Sequence, residues 1–169
     1  EKRIDLVLES FHNLFHSGIK VKLKLIGDGP LKHDIENQIQ KLGISDLVEL
    51  PGYLPQNRIV EELHNSHILV LASDIETFGM VLIEAQACGL PVVAADCGGP
   101  RDIIRPESGI LVKPGSVSEL TEGMKKLIKS FEKFDPSGIR NSAIQLFGQQ
   151  KYVESIRNFT TKLISSSVD

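Results

Sequence analysis

The segment "HILVLASDIETFGMVLIEAQACGLPVVAAD", residues 67–96, decides the fold of this chain. It opens with a short apolar run, passes through polar residues to Gly79, continues as an apolar stretch of helical length, and ends in a third apolar run. Short runs that are apolar throughout are typical of strands covered by helices on both faces. We therefore predict a strand, a helix and a second strand in a parallel β-α-β unit.

The same alternation extends along the rest of the chain. Hydrophobic periodicity predicts further strands at 20–27, 47–50 and 109–112, and further helices at 3–16, 30–41, 58–65, 101–104, 117–131, 139–147 and 152–164. In the strand at 20–27 lysines alternate with apolar residues, which places it towards a sheet edge. The fold class that follows is α/β, with a doubly wound parallel sheet flanked by helices.

Composition narrows the class of protein. A chain of 169 residues with 41% hydrophobic and 24% charged side chains is expected to form one domain, residues 1–169. A net charge of -3 argues against a nucleic-acid partner. The apolar runs are far shorter than the roughly 20 residues of a membrane span, and the N-terminus lacks a signal-peptide pattern, so we expect a cytoplasmic protein. The sequence starts at the mouth of a helix, which suggests a fragment whose first strand is absent.

Several candidate sites have simpler explanations. Cys88 and Cys97 stand among small or apolar residues and are interpreted as structural thiols. His12 and His16 have the spacing of two metal ligands but lack a third, so no metal site is predicted. The Gly27-Asp28-Gly29-Pro30 turn lacks the third glycine of a dinucleotide-binding loop and is explained by a tight turn with Pro30 at the first helical position, although it can still line a pocket.

Glu76 and Glu84 carry the functional hypothesis. Three loops, 27–30, 73–79 and 96–100, follow predicted strands and should cluster at one edge of the sheet. If Gly79 opens the helix, its first N–H groups favour anionic or oxygen-rich groups there. Structural alternatives remain: Glu76 as a partner of the helix dipole, and Glu84 as half of a buried ion pair.

The spacing of the two acids suits a long polar ligand. Eight helical positions would separate Glu76 and Glu84 by roughly 12 Å, and place them within about 80° of one another around the axis, if all were helical. Carboxylates accept strong hydrogen bonds from vicinal hydroxyls. A ligand with a diol at each end and phosphates between them would satisfy both acids.

The segment "SDIETFGMVLIEAQACGLPVVAADCGGPRDII" resembles the donor-site segment of the retaining family 4, or group 1, glycosyltransferases, whose GT-B fold pairs two Rossmann-like domains. Their signature of two glutamates separated by seven residues is matched by Glu76 and Glu84. The surrounding "LIGDGP", "VELPGYLP" and "SGILVKPGS" also fit. The resemblance implies that the chain is the C-terminal, donor-binding half of such an enzyme, without the N-terminal acceptor domain.

The resemblance also implies a role for each matching residue. Glu76 would hold hydroxyls of the donor sugar and Glu84 those of the ribose. Lys2 would neutralise the diphosphate, although Arg3 follows it where the family usually has glycine. Backbone amides at Phe78, Gly79 and Met80 would contact the sugar or the phosphates. The loop with Tyr53 and Leu54 would lie against the nucleobase. The turn with Gly27 and Gly29 is also expected to bind the donor.

The implied reaction is transfer of a sugar from a UDP-, GDP- or ADP-linked donor with retention of configuration, without a cofactor or an obligatory metal. The isolated fragment is expected to be inactive. Alternatives are a nucleotide-sugar epimerase or phosphorylase of similar architecture and a non-catalytic nucleotide-binding domain. Peripheral membrane contact of the full-length protein is a further expectation, although the helix with Lys125, Lys126, Lys129 and Lys133 is more simply a solvated face.

Overall fold

Helices and short strands alternate along the chain in the computed structural model, which describes residues 1–151, 153, 154 and 157. In chain order the elements are α1 (Ile4–His16), β1 (Leu23–Ile26), α2 (Lys32–Lys41), β2 (Val48–Gly52), α3 (Gln56–His64), β3 (Leu69–Leu71), α4 (Met80–Ala87), β4 (Val92–Ala95), α5 (Pro100–Ile103), β5 (Gly109–Val112), α6 (Val117–Lys129) and α7 (Pro136–Phe147). The helix predicted over 152–164 lies largely outside the described residues.

All strand pairs in the described part of the chain are parallel, as the alternation predicted. They form two hydrogen-bonded ladders, β1-β2 and β3-β4-β5, rather than one continuous sheet. Leu23 is opposite Val48 in the first ladder, and Val92 lies between Leu69 and Gly109 in the second. The α/β class with helices flanking parallel strands is confirmed, although the described strands form two ladders where the sequence analysis predicted one doubly wound sheet.

The core lies on both faces of the β3-β4-β5 ladder. One cluster joins side chains of α1 and α6 to one face of the strands, through Leu14, Val93 and Leu127. A second cluster lies on the other face and includes Leu82 of α4 and Ile103 of α5. All four residues of β4 are buried, so this strand is the centre of the layered structure. A third cluster, with Leu8, Phe11, Ile39 and Ile44, joins α1 to the β1-β2 ladder.

Two predicted helix starts shift by two residues. Pro30 is not the first residue of α2, because Lys32 N–H donates to Gly29 O in a turn that precedes the helix. Helix α3 begins at Gln56 rather than Arg58, since the extended Pro55 supplies the carbonyl that accepts the first helical hydrogen bonds. Within the described ranges, every helix is too short or too polar to cross a lipid bilayer.

Candidate functional site

The loops that follow β3 and β4 lie side by side at the carboxyl edge of their ladder. Glu76 and Gly98 form an isolated parallel bridge, and the N–H of Gly99 donates to Glu76 O at 2.7 Å. Two of the three loops predicted to cluster are thus joined. The third loop is connected elsewhere, because Gly27 N–H donates to Gly52 O at the end of β2.

Gly98 and Gly99 were not identified as site residues from the sequence. A Cβ at Gly99 would stand 2.4 Å from Phe78 O, and one at Gly98 would stand 2.9 Å from Glu76 O. Both distances are shorter than real Cβ contacts, so only glycine lets the two loops approach this closely. The signal available in the sequence was the glycine pair directly after a predicted strand.

Gly79 opens α4, as predicted, and does so in the left-handed conformation with φ 95°. Its Cα packs closely enough that an added Cβ would lie 3.1 Å from Leu82 Cδ1 and 3.3 Å from Ile103 Cδ1. The first turn of α4 therefore starts at the edge where the two loops meet, and its N–H groups give that edge partial positive charge. The flanking Phe78 and Met80 are exposed.

Lys2 and Glu76 form an ion pair at this edge, with Lys2 Nζ 2.6 Å from Glu76 Oε2. The Glu76 side chain retains 14% of its exposure, whereas Lys2 retains 58%. Two residues that are 74 positions apart in sequence are therefore brought together. The same carboxylate lies near Cys97, whose thiol pKa is raised first by burial and then by the charge of Glu76.

Arg3 adopts a backbone conformation that favours glycine. It is the one non-glycine residue with positive φ among the described residues, at φ 49°, and it forms the N-cap position of α1. This left-handed conformation costs a non-glycine residue about 1–2 kcal/mol. Ion pairs with Asp5 at 2.8 Å and Asp74 at 3.0 Å hold the guanidinium, and the hydrogen bond from Arg3 lowers the pKa of Asp5.

Glu84 is neither fully buried nor paired with a cation in the described residues. Glu84 is half-buried, and its Oε1 accepts a long hydrogen bond of 3.4 Å from Gln56 Nε2. No lysine or arginine pairs with it anywhere in residues 1–151, 153, 154 or 157. The alternative of a buried structural ion pair is therefore wrong for the described part of the chain.

The helical spacing assumed between the two acids holds only in part. α4 begins at Met80, so Glu84 lies on the helix while Glu76 stands in the extended loop that bridges to Gly98. The separation of roughly 12 Å expected for a continuous helix thus does not apply. Glu76 lies in the loop before α4, and Glu84 lies just after the first turn of that helix. Both acids therefore flank the N-terminus of α4.

The loop after β2 lies beside Glu84. Tyr53 is 79% exposed and Leu54 is half-buried, and both directly precede the helix that carries Gln56. Because Gln56 reaches Glu84, this loop and α4 border the same space. Gln56 is a third residue that the sequence analysis did not identify, since a lone glutamine at a helix start has many ordinary explanations.

The histidine pair of α1 and the two cysteines are the remaining candidates. His12 and His16 stack edge to face with ring centroids 4.3 Å apart, and no group of three metal-binding side chains occurs among the residues described. Cys88 and Cys97 are both free thiols. Burial raises the pKa of Cys88, as it does that of Cys97, so neither is an activated nucleophile.

Known proteins with similar sequence point to one family. An exopolysaccharide phosphotransferase of Streptomyces coelicolor is 38% identical over 131 residues, which cover 76% of this chain and 14% of that protein. The N-acetyl-alpha-D-glucosaminyl L-malate synthase of Bacillus anthracis is 32% identical over 155 residues, covering 90% of this chain and 40% of that enzyme. The chain spans less than half the length of both relatives.

Solved structures give the same result. The HepE protein of Anabaena in complex with UDP-glucose superposes with a TM-score of 0.80 at 26% identity, covering 98% of this chain and 45% of HepE. Structural neighbours of this kind are GT-B glycosyltransferases, and the parallel α/β fold described above, with helices on both faces, is the fold of one of their domains. The family model for glycosyl transferases group 1 matches residues 1–136, which include Lys2, Glu76 and Glu84. The chain belongs to the group 1 glycosyltransferases.

Proposed function

We propose that this chain is the donor-binding domain of a glycosyltransferase: it binds a nucleotide-diphosphate sugar and, within the full-length protein, transfers the sugar to an acceptor with retention of configuration. The observation that carries the proposal is Glu84, a half-buried carboxylate without a cationic partner in the described residues. A carboxylate in that position is stabilised by hydrogen-bond donors. Ligand hydroxyls would supply them.

Glu84 is assigned to the nucleotide end of the donor. Among the described residues its only side-chain hydrogen bond comes from Gln56, at a long 3.4 Å, so a ribose diol can replace or join that hydrogen bond. The loop with Tyr53 and Leu54 directly precedes Gln56, which supports contact between this loop and the base. Gly27 is tied to Gly52 at the end of β2, so the turn with Gly27 and Gly29 borders the same end.

Glu76 and Lys2 are assigned to the sugar and the diphosphate. Glu76 Oε2 is already bound to Lys2, while the remaining carboxylate oxygen is available for sugar hydroxyls. Lys2 is more than half exposed, and its ammonium would contact a phosphate of the donor. Amides at Phe78, Gly79 and Met80 lie where α4 begins, and helix N-termini favour phosphate oxygens.

The proposed chemistry is electrostatic. When the bond between the sugar and the diphosphate breaks, negative charge develops on the leaving phosphate. Lys2 and the N-terminus of α4 would stabilise that charge at the same edge of the ladder. We propose that this requires no cofactor and no obligatory metal, and that the sugar transferred is a hexose.

The same edge presents an apolar surface that fits a second domain. Ile75, Phe78 and Met80 are exposed to 72%, 47% and 57%. Exposed apolar residues around a polar site are typical of a surface that another unit covers. An N-terminal domain that supplies the acceptor site would close over this edge, and residues 1–169 alone are expected to bind donor weakly and turn over little.

Titration calorimetry with UDP, GDP and ADP, and with their sugar conjugates, tests the assignment. We expect Glu84→Ala to abolish nucleotide binding, because the ribose hydroxyls lose their acceptor. Glu76→Ala should bind the free nucleotide as the wild type does and lose only the additional affinity contributed by the sugar. The three nucleotides together identify the base.

Glu107→Ala is the matched control, since Glu107 is exposed and lies after α5, away from the two acids. It should bind every ligand as the wild type does. Equal binding by the wild type, Glu84→Ala and Glu76→Ala would contradict the proposal and favour a structural role for both acids.

A further inference from the structure

The β3-β4-β5 ladder ends in an open edge at β5. Among the strands of the described residues, β5 pairs with β4 alone. Asp96 N–H donates to Val112 O, so the backbone groups of Val112 face β4. Backbone groups of successive residues in a strand point to opposite sides, so those of Leu111 and Lys113 face away from the ladder. Such an edge is able to pair with another chain.

A groove of about 700 Å³ runs along this edge. Its floor is formed by the β5 residues Ile110, Leu111 and Val112, and its wall by one flank of α6. The other flank of α6 packs against α1. The groove therefore lies at the outer side of the layered structure, away from the core that α1 and α6 share.

The charged side chains of the wall are sorted by sign along α6. The acids stand in the first two turns and the lysines in the last turn or just beyond it, in the order Glu119, Glu122, Lys126, Lys129 and Lys133. Glu122 pairs with Lys125 of the same helix at 3.4 Å. The other four form no ion pair with the described part of the chain. The groove thus has an acidic end and a basic end.

Gly123 fixes the position of α6 over the strand. A Cβ at Gly123 would stand 2.6 Å from Val112 Cγ1 and 3.8 Å from Ile110 Cγ2, so the helix crosses β5 above Leu111. Residues 113–116 join β5 to α6, and over so short a connection the helix runs back antiparallel to the strand. Gly123 and Leu111 therefore mark the same level along the edge.

The charge pattern of the groove is complementary to itself. An interface between two copies with two-fold symmetry uses the same patch on both, so that patch has to match its own rotated image. At about 1.5 Å of rise per residue, Glu119 lies about 6 Å from Gly123 on one side and Lys126 about 4.5 Å on the other. A two-fold axis beside Leu111 and Gly123 brings Glu119 of each copy to the level of Lys126 of the second copy.

We propose that the β5 edge is an interface between two copies of this chain. The two β5 strands pair antiparallel about Leu111 and join the two β3-β4-β5 ladders into one sheet. The two α6 helices lie antiparallel beside each other, and Glu119 of each copy forms an ion pair with Lys126 of the other. The groove lies along the side of the ladder and Glu76 lies beyond the end of β3, so the interface leaves the carboxyl edge open.

Analytical ultracentrifugation over a series of protein concentrations tests this proposal. The wild type should pass from monomer to dimer as its concentration rises. Glu119→Lys and Lys126→Glu each place like charges opposite one another and should raise the dissociation constant roughly tenfold or more. An equimolar mixture of the two variants should dimerise about as well as the wild type, because the mixed dimer has one native ion pair and one with its signs reversed.

Lys41→Glu is the matched control, since Lys41 is exposed at the end of α2 and does not line the groove. It should dimerise as the wild type does. Recovery in the mixture separates loss of the interface from misfolding of either variant. A wild type that remains monomeric, a dimer that neither substitution weakens, or variants that do not recover on mixing would overturn the proposal; the first result would leave the edge to a different partner, such as an acidic extended peptide.

Amide exchange followed by NMR locates the strand pairing. The N–H groups of Leu111 and Lys113 face the groove, so their exchange should slow several-fold between dilute and concentrated wild type, because paired amides exchange only by opening. In Lys126→Glu the two rates should not depend on concentration. Unchanged exchange at both amides in a wild type that dimerises would contradict the pairing of β5. Neither measurement involves a nucleotide, so the outcome is independent of the proposed donor site.

Discussion

Gly99, in the loop after β4, packs directly against backbone atoms of the loop after β3. Because Phe78 O, C and Cα would all lie within 2.6 Å of an added Cβ, the Gly99→Ala substitution must displace the loop that carries Glu76 and Phe78. We expect the free energy of unfolding to fall by about 1–3 kcal/mol, which is typical of overpacking. Urea denaturation measures this loss.

Gly29→Ala is the control for that prediction. A Cβ added at Gly29 would have no other atom within 4 Å, and Gly29 does not require positive φ. Its substitution should change stability by less than about 0.5 kcal/mol. Similar stability of the two variants would show that the loops can separate without cost.

The Arg3–Asp5 contact makes stability depend on pH at acidic values. The hydrogen bond from Arg3 lowers the pKa of Asp5 below its ordinary value of 3.8. For a carboxyl with a lowered pKa in the folded state, the stabilisation is complete above the unfolded pKa and is lost as the pH falls through the folded one. The wild type should therefore be more stable than Asp5→Asn at pH 7.

The difference in the free energy of unfolding between these two proteins should shrink as the pH falls below about 4. Urea denaturation at a series of pH values between 7 and 2.5 measures it. A difference that stays constant over the whole range would mean that the Asp5 carboxylate contributes nothing through its charge.

Helix α6 depends on its N-cap. Ser116 accepts a hydrogen bond from Glu119 N–H at 3.2 Å, which satisfies one of the free amides of the first turn. Ser116→Ala should lower the free energy of unfolding by about 0.5–2 kcal/mol. Ser118→Ala, in the same turn but exposed, is the control and should be nearly neutral; guanidinium denaturation separates the two, and equal losses would contradict the capping role.

At the scale of elements, the sequence predicted whether a segment forms a helix or a strand better than it predicted the residues at which that segment begins and ends. The strand at Gly109–Val112 and the start of α4 after Gly79 are confirmed at the predicted residues, because periodic apolar runs and a helix-opening glycine are local signals. The predicted start of α2 was two residues too early, because Pro30 lies in a turn before the helix and not at its first position. Both kinds of position are allowed to proline, and the choice depends on the preceding backbone.

At the scale of the whole molecule, α1 is the element that holds the two ladders together. Leu14 of α1 is 1% exposed and packs in the cluster shared with α6 and the strands. Leu14→Ala should lower the free energy of unfolding by about 2–5 kcal/mol through the cavity it leaves. Thermal and urea denaturation should both register the loss.

Leu31→Ala is the matched control, because Leu31 is 61% exposed and its truncation leaves no cavity. It should remain within about 0.5 kcal/mol of the wild type. Comparable losses for the two leucine variants would mean that α1 is not the main link between the ladders.

The amino-acid sequence by itself determined the alternation of helices and strands, the helix start at Gly79 and the pair of glutamates that suggested a donor site. These properties are written in short stretches of chain, where periodicity, glycine and charge act over a few residues. The resemblance of residues 73–104 to the family carried the functional hypothesis further.

Only the tertiary structure decided which distant residues meet. The Lys2–Glu76 ion pair joins positions 74 residues apart, and the Gly99–Phe78 approach depends on two loops from different strands. The lack of a cation beside Glu84 in the described residues, and the division of the strands into two ladders, likewise depend on how whole elements pack. Such contacts are set by the packing of the entire core, which no local pattern specifies.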